Sequence, residues 1–340
     1  MSVDSGRREI VTRVAFIVAF AAIFAFFSSR ITMNYGLKSI PPTVNVGGGI
    51  RSPRPSWCDE TARDLYIDLL KRSVSNFLYE CHPPELNCVS MLKEPIPFSK
   101  AGTAGKVDAK SMVGMNGLDQ VDDAIRTILA EDVPGDFVET GVFKGGTCIF
   151  MLGMLKAMGD VGRLVYVADS FRGIPPVNLG EYAEDKPHAG TDKYLPKDVS
   201  MEVVQENFFQ FGLLDHTRLR FLKGWFNETL PTTNFDRKVA LLRMDGDLFE
   251  STWDALANVY PHVSVGGYVI VDDYGDWIGC KKAVDWYREF CGEGAPMARF
   301  DAVWPNQEGK FAHWRKSKEC PLGVDELNRL RRERQRNGGK

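Results

Sequence analysis

Two short runs, Arg243-Met244-Asp245-Gly246-Asp247 and Val271-Asp272-Asp273-Tyr274, each end an apolar stretch in carboxylates. If those stretches are neighbouring strands, Asp245, Asp272 and Asp273 meet in space. Three carboxylates with no His or Cys beside them suit a hard divalent cation such as Mg2+, not zinc. Asp247, two residues beyond Asp245, is then free for another role. A carboxylate beside a metal-held hydroxyl can act as general base, because the metal lowers the hydroxyl pKa. A third run, Glu139-Thr140-Gly141-Val142-Phe143-Lys144-Gly145-Gly146-Thr147, reads as strand, glycine turn and helix. Glycine lets a ligand approach the backbone, and a helix N-terminus presents free N–H groups. The run lacks both G-x-G-x-x-G and G-x-x-x-x-G-K-[ST], which argues against dinucleotide and nucleotide-triphosphate loops. Asp169 ends the next apolar run, where an acid accepts hydrogen bonds from two ribose hydroxyls. Ser170 and Phe171 follow, and Phe171 is placed to lie against an adenine face. Each motif also has a plainer reading: a tight strand-to-helix connection, a strand-capping Asp, and solvated loop acids.

The elements that must position these residues alternate. Helices are expected over 121–129, 147–158, 199–211, 251–260 and 278–290. Strands are expected over 136–140, 164–168, 219–222, 239–244 and 268–271. Residues 300–304 and 310–314 bracket Pro305-Asn306-Gln307-Glu308-Gly309 and read as a β-hairpin. Residues 175–197 are polar, with His188 among them, and read as a long loop. The alternation predicts a doubly wound, Rossmann-like α/β domain, its sheet mostly parallel and closed by the antiparallel hairpin. Ligands bind at the carboxyl ends of such strands, which is where Glu139, Asp169, Asp245, Asp272 and Asp273 fall. Converging carboxylates repel, so something cationic or donor-rich is expected among them.

The chain has 340 residues, 44% hydrophobic and 26% charged, with a formal net charge of −3. That is enough for a full core and excludes a disordered, collagen-like or multi-span protein. The near-neutral charge argues against nucleic acid as a partner. Seven Cys do not make a disulfide scaffold. Residues 14–27 are continuously apolar and flanked by Arg7, Arg8, Arg13 and Arg30. With Ser28 and Ser29 the run is about 24 Å long as a helix. Its end offers no good A-x-A pattern for cleavage, so a single-pass anchor through 14–29 is expected, with the catalytic body facing an ER or Golgi lumen. A cleaved signal and a cytoplasmic protein with a buried helix are the alternatives. In a lumen, Asn227-Glu228-Thr229 would be a glycosylation acceptor, and Cys58, Cys81 and Cys88 could pair. Cys148 and Cys280 read as core residues. The domain plan is 1–30 stub and anchor, 31–56 linker, 57–118 helical arm, 119–318 catalytic domain and 319–340 basic tail. The arm's helix is expected over 60–80. The tail, with Arg329, Arg331, Arg332, Arg334 and Arg336, reads as a solvated helix end. His188 reads as an exposed loop residue, and Trp225 and Phe226 as core.

Several of these stretches, in order, resemble the S-adenosylmethionine-dependent, Mg-dependent sugar O-methyltransferases of the macrocin type (TylF- or MycF-like). They are residues 135–141, 168–173, the run 199–231 with Glu206-Asn207-Phe208 and Gly224-Trp225-Phe226, 244–247 and 271–274. Residues 64–70 are similar to the family's N-terminal helix. The resemblance covers about 60–316. It implies methyl transfer from S-adenosylmethionine to a hydroxyl, on a sugar or glycosylated metabolite. Asp245, Asp272 and Asp273 would hold Mg2+ and Asp247 would be the base. Glu139, Thr140, Gly141, Gly145, Asp169 and Ser170 would contact the methyl donor. The loop 175–197, with His188, would be a lid over the acceptor. Such proteins are typically homodimers. Two other readings stand beside it: a dinucleotide-dependent oxidoreductase, and a non-catalytic membrane-tethered binding protein on the same fold.

Overall fold

In this computed structural model the described residues are 61–75, 78, 109–190, 199–235, 237–300 and 310–338. The linker, Cys58, Cys81, Cys88, part of the arm, residues 191–198 of the loop and the hairpin tip lie outside them, as does the span expected over 14–29. Among the described residues the helices are α1 (Ala62–Val74), α2 (Gly114–Ala130), α3 (Gly146–Ala157), α4 (Met201–Gln210), α5 (Phe226–Thr229), α6 (Phe249–Asn258), α7 (Ile278–Phe290) and α8 (Val324–Arg336). The strands are β1 (Asp136–Thr140), β2 (Val165–Asp169), β3 (Leu219–Lys223), β4 (Val239–Met244), β5 (Val263–Val271), β6 (Ala298–Phe300) and β7 (Phe311–Arg315).

The sheet runs β3-β2-β1-β4-β5-β7-β6. The first five strands are parallel, and β7 is antiparallel to both β5 and β6. This is the expected doubly wound sheet with its closing hairpin. β1 and β4 are buried along their whole length, as strands covered on both faces must be. One face carries α1, α2, α3 and α4 over Phe137, Val165, Val167 and Leu241; the other carries α6 and α7 over Val138, Leu242, Met244 and Val269.

Local sequence explains the framing helices. The Thr61 hydroxyl caps α1 by accepting from the Asp64 amide, and Lys71 and Arg72 lie in its last turn. Ser200 caps α4 in the same way. α3 is buried nearly all round, and Gly153 lets Leu70 of α1 pack onto it where a Cβ would overlap. No described helix is long and apolar enough to cross a membrane. The apolar α3 has 12 residues, about 18 Å of rise against a hydrocarbon core of about 30 Å.

The basic tail departs from expectation. Residues 324–336 are a docked helix, not a solvated one: Leu327 is fully buried and Arg331 is 3% exposed. Arg331 lies over the ring of Tyr182, at 4.8 Å, and also over that of Trp253. A guanidinium can be buried there because aromatic faces and Glu181 replace its water. A disulfide between Cys291 and Cys320 ties the end of α7 to the approach to α8. Cys148 and Cys280 are free and buried, as expected.

Candidate active site

The order β2-β1-β4-β5 puts the ends of four parallel strands side by side. Asp169 ends β2, Glu139 and Thr140 end β1, Asp245 follows β4, and Asp272 and Asp273 follow β5. Two backbone bonds hold the exits in line: the Asp245 amide donates to the Thr140 carbonyl, and the Asp272 amide to that of Met244.

Asp245, Asp272 and Asp273 each offer a carboxylate oxygen, all within 4.8 Å of one another. Oxygens around Mg2+, at about 2.1 Å each, stand at most about 4.2 Å apart. The three oxygens stand close to that spacing, and their all-oxygen donor set is one that could hold a hard cation. Asp247 is on the same edge. It takes a left-handed backbone conformation (φ 61°), and its amide donates to Asp273 Oδ2 at 3.2 Å. Burial, and then the neighbouring Asp245 and Asp272, push the Asp247 carboxyl well above the ordinary carboxylate range. Burial and the Asp247 charge do the same to Asp273. Burial also raises Asp245.

The cation expected among these acids is Arg243. Its side chain is 1% exposed. One nitrogen donates to Glu139 Oε1 at 2.6 Å and to Asp245 Oδ2 at 2.8 Å, and the other pairs with Asp272. Lys310 adds a second positive charge 3.5 Å from Asp272. The sequence signal for Arg243 was present: an Arg two residues before Asp245, inside an otherwise apolar strand. Lys310 comes from the far side of the hairpin, and no local pattern points to it.

Glu139 is turned into this network. Its other oxygen accepts from the Cys148 thiol at 2.7 Å, and burial lifts its carboxyl to about 7 against the pull of Arg243. Asp169 braces the glycine loop. Oδ2 accepts from the Val142 amide at 2.8 Å and Oδ1 from the Phe171 amide at 2.7 Å. Ser170 donates to the Gly173 carbonyl. The Thr140 hydroxyl is buried with no hydrogen-bond partner.

Gly141 has φ +85°, and a Cβ there would overlap the Asp245 backbone. Its role within the protein is to let β1 and β4 exits cross closely. Gly145, φ +83°, opens α3, where a Cβ would press on Val204. His188 is half-buried, not exposed, and stacks on Trp277 at 4.1 Å; burial lowers its pKa. It ends a 3-10 turn, Ala183–His188, inside the predicted loop. A concavity of about 630 Å3 beside β3, lined by Tyr166, Arg220, Leu222 and Arg237 among others, contains none of the sequence-predicted site residues.

A family model described as Macrocin-O-methyltransferase (TylF) matches residues 98–306. The chain is 44% identical over 242 residues to the demethyldecarbamoylnovobiocin O-methyltransferase of Streptomyces niveus, covering 70% of this chain and 91% of that one. It is 39% identical over 264 residues to the mycinamicin III 3''-O-methyltransferase of Micromonospora griseorubida, covering 76% and 98%. The solved O-methyltransferase NovP superposes with a TM-score of 0.65 at 40% identity, covering 75% of this chain and all of that one.

These findings correct the expected membrane location. The relatives are bacterial O-methyltransferases. The matched region accounts for nearly all of their length. No described helix can span a bilayer. The expected ER- or Golgi-facing membrane location is therefore corrected, while the segment 14–29 itself lies outside the described residues; Asn227 is on α5. With 209 residues matched by one family model, a strand-end carboxylate edge and a sheet shared with NovP, the chain belongs to the macrocin-O-methyltransferase (TylF) family and is an O-methyltransferase.

Proposed function

We propose that this protein transfers a methyl group from S-adenosylmethionine to a sugar hydroxyl carried by a small glycosylated metabolite, with Mg2+ at Asp245, Asp272 and Asp273. The convergence of those three carboxylates beside the Gly141 loop carries the reading. The substrate class follows the relatives, one named for a rhamnosyl-bearing tetracenomycin C and the others for demethyldecarbamoylnovobiocin and mycinamicin III. When bound, the sulfonium supplies an electrophilic methyl group, and the cation makes a neighbouring acceptor hydroxyl more acidic.

The chain's own residues do the rest. The backbone of the Gly141–Gly145 loop and the α3 N-terminus would present N–H groups to the methyl donor, and Thr140, Asp169 and Ser170 would contact it from the ends of β1 and β2. Glu139 acts mainly by holding Arg243, which in turn bonds and aims the Asp245 and Asp272 carboxylates. Asp247 takes the acceptor proton; burial, and then the neighbouring Asp245 and Asp272, make it more basic than a free carboxylate. Transfer then depends mostly on alignment of the attacking oxygen with the methyl group. The described part of the expected lid, residues 175–190 with His188, would cover the acceptor. Leu65, Tyr66 and Leu69 stay exposed along α1, an apolar stripe that suits pairing of two copies as a homodimer.

The test is incubation of the purified chain with S-adenosylmethionine and either demethyldecarbamoylnovobiocin or mycinamicin III, followed by mass spectrometry. Addition of one methyl group, lost with a chelator and restored by Mg2+, supports the reading. Binding of S-adenosylhomocysteine without transfer to any sugar hydroxyl would remove the acceptor class. Transfer indifferent to chelation would remove the metal. Equilibrium sedimentation at micromolar concentration decides the dimer.

A further inference from the structure

Helices α6 and α7 begin directly after the acidic strand ends, α6 two residues beyond Asp247 and α7 five beyond Asp273. Neither caps itself. Leu248 and Trp277 occupy the N-cap positions and make no side-chain capping bond. An uncapped N-terminus buried in protein leaves amide groups without acceptors. The missing acceptor comes from 64 residues away. Asp185, 1% exposed, accepts from the Phe249 amide at 2.7 Å and the Glu250 amide at 3.3 Å. The first turn of α7 closes on the same carboxylate: Gly279 lies so near that a Cβ would overlap Asp185 Oδ1. One carboxylate thus sits against the positive ends of both helices. Three residues on, His188 stacks on Trp277.

The other side of this turn is held from the C-terminal helix. Arg331 pairs with Glu181 at 2.9 Å and covers Tyr182. Gln335 donates to the Glu181 carbonyl and to Glu184, each at 3.0 Å. α8 lies beyond residue 306, where the family match ends.

We propose that Asp185 is a positioning residue that latches the Ala183–His188 turn across the starts of α6 and α7, and that α8 completes the latch through Arg331 and Gln335. Opening the turn then withdraws the cap from the helix that carries Asp247 at its approach. Covering of the site and the geometry of its acids become one equilibrium, and a helix outside the family match biases it. The consequence for the acids rests on the metal reading above; the latch itself does not.

The test uses full-length protein and hydrogen exchange read by mass spectrometry, which needs neither metal nor acceptor. Asp185→Ala is expected to speed exchange of the 246–252 peptide at least tenfold and leave the β4 peptide unchanged. Asp185→Asn, which keeps one acceptor oxygen, should fall between it and wild type, and it decides the matter if the Ala variant does not fold. Arg331→Met should speed both 181–188 and 246–252. Unchanged exchange at 246–252 in the Asp185 variants, or equal acceleration in β4, would overturn the proposal; the second outcome would make Asp185 a general stability residue. Calorimetric titration with Mg2+ separates the two readings. Binding by wild type that weakens about tenfold in Asp185→Ala links latch to acids. No binding by wild type defeats the metal reading and leaves the exchange result to judge the latch.

Discussion

Arg243 is the residue on which the acidic edge depends. It is a buried guanidinium shared among Glu139, Asp245 and Asp272. Removing one partner of a buried ion-pair group leaves uncompensated charge, and such changes cost about 3–5 kcal/mol. Arg243→Met, similar in volume, is therefore expected to lower unfolding free energy by about that amount in urea titration. It should also abolish methyl transfer even where the protein remains folded at low temperature. A change within about 1 kcal/mol would mean that the buried pairs with Arg243 contribute little to stability. Gly141 makes a second residue-scale case. An Ala there must take a left-handed conformation, costing about 1–2 kcal/mol, and its methyl group meets the Asp245 backbone. Gly141→Ala should disturb donor binding and the metal set together. S-adenosylhomocysteine affinity that survived the substitution unchanged would count against the close crossing of β1 and β4 exits.

At the scale of elements, the least expected feature is the attachment of α8. Cys291–Cys320 closes a loop with a sequence separation of 29. In the chain-entropy account a loop of that length stabilises by about 3.5 kcal/mol. Reduction with a dithiol, or Cys320→Ser, should lower the thermal midpoint by several degrees, with the loss seen first as faster exchange in α8. An unchanged midpoint would mean that packing of Leu327, Arg331 and Trp253 holds α8 without the bond. None of this was legible in the sequence, for identifiable reasons. Leu327 is one fully buried Leu in a helix dominated by Arg and Glu, so its pattern reads as solvated. Burial of Arg331 is decided by Tyr182 and Trp253, which are distant in sequence. The two cysteines carry no motif. The strands and the acids were legible because their signals are local: an apolar run covered on both faces, then Asp. The Ala183–His188 turn shows the same boundary. Its composition is polar, and only the uncapped starts of α6 and α7, visible in three dimensions, give Asp185 its role.

For the molecule as a whole, acid placement has a consequence for stability against pH. Burial raises Asp254 to about 7, with Glu250 adding to it. It raises Asp185 to about 6 and Glu139 to about 7. In the unfolded chain these groups titrate near 4. Between about pH 4 and 7 these three groups therefore bind more protons in the folded protein than in the unfolded one, and their contribution to stability falls as pH rises; His188, His262 and His313, whose pKa burial lowers, act in the opposite sense. The slope is at most about 1.4 kcal/mol per pH unit for each proton fully retained. Most proteins lose stability toward acid through paired carboxylates, so a gain on mild acidification is a distinctive expectation. Asp254→Asn removes one such group away from the acidic edge and should flatten the slope. Mg2+ acts in the opposite sense, because a cation favours ionised ligands. At a hundredfold excess over its dissociation constant it would add about 2.7 kcal/mol, more at pH 7.5 than at 5.5, where protons compete. Thermal midpoints at those two pH values, with and without Mg2+, test both terms in one series. A metal-free midpoint that rises with pH would show that the buried acids are already balanced by Arg243, Lys310 and Arg331. A midpoint indifferent to Mg2+ at both values would show that Asp245, Asp272 and Asp273 hold no cation in the free enzyme.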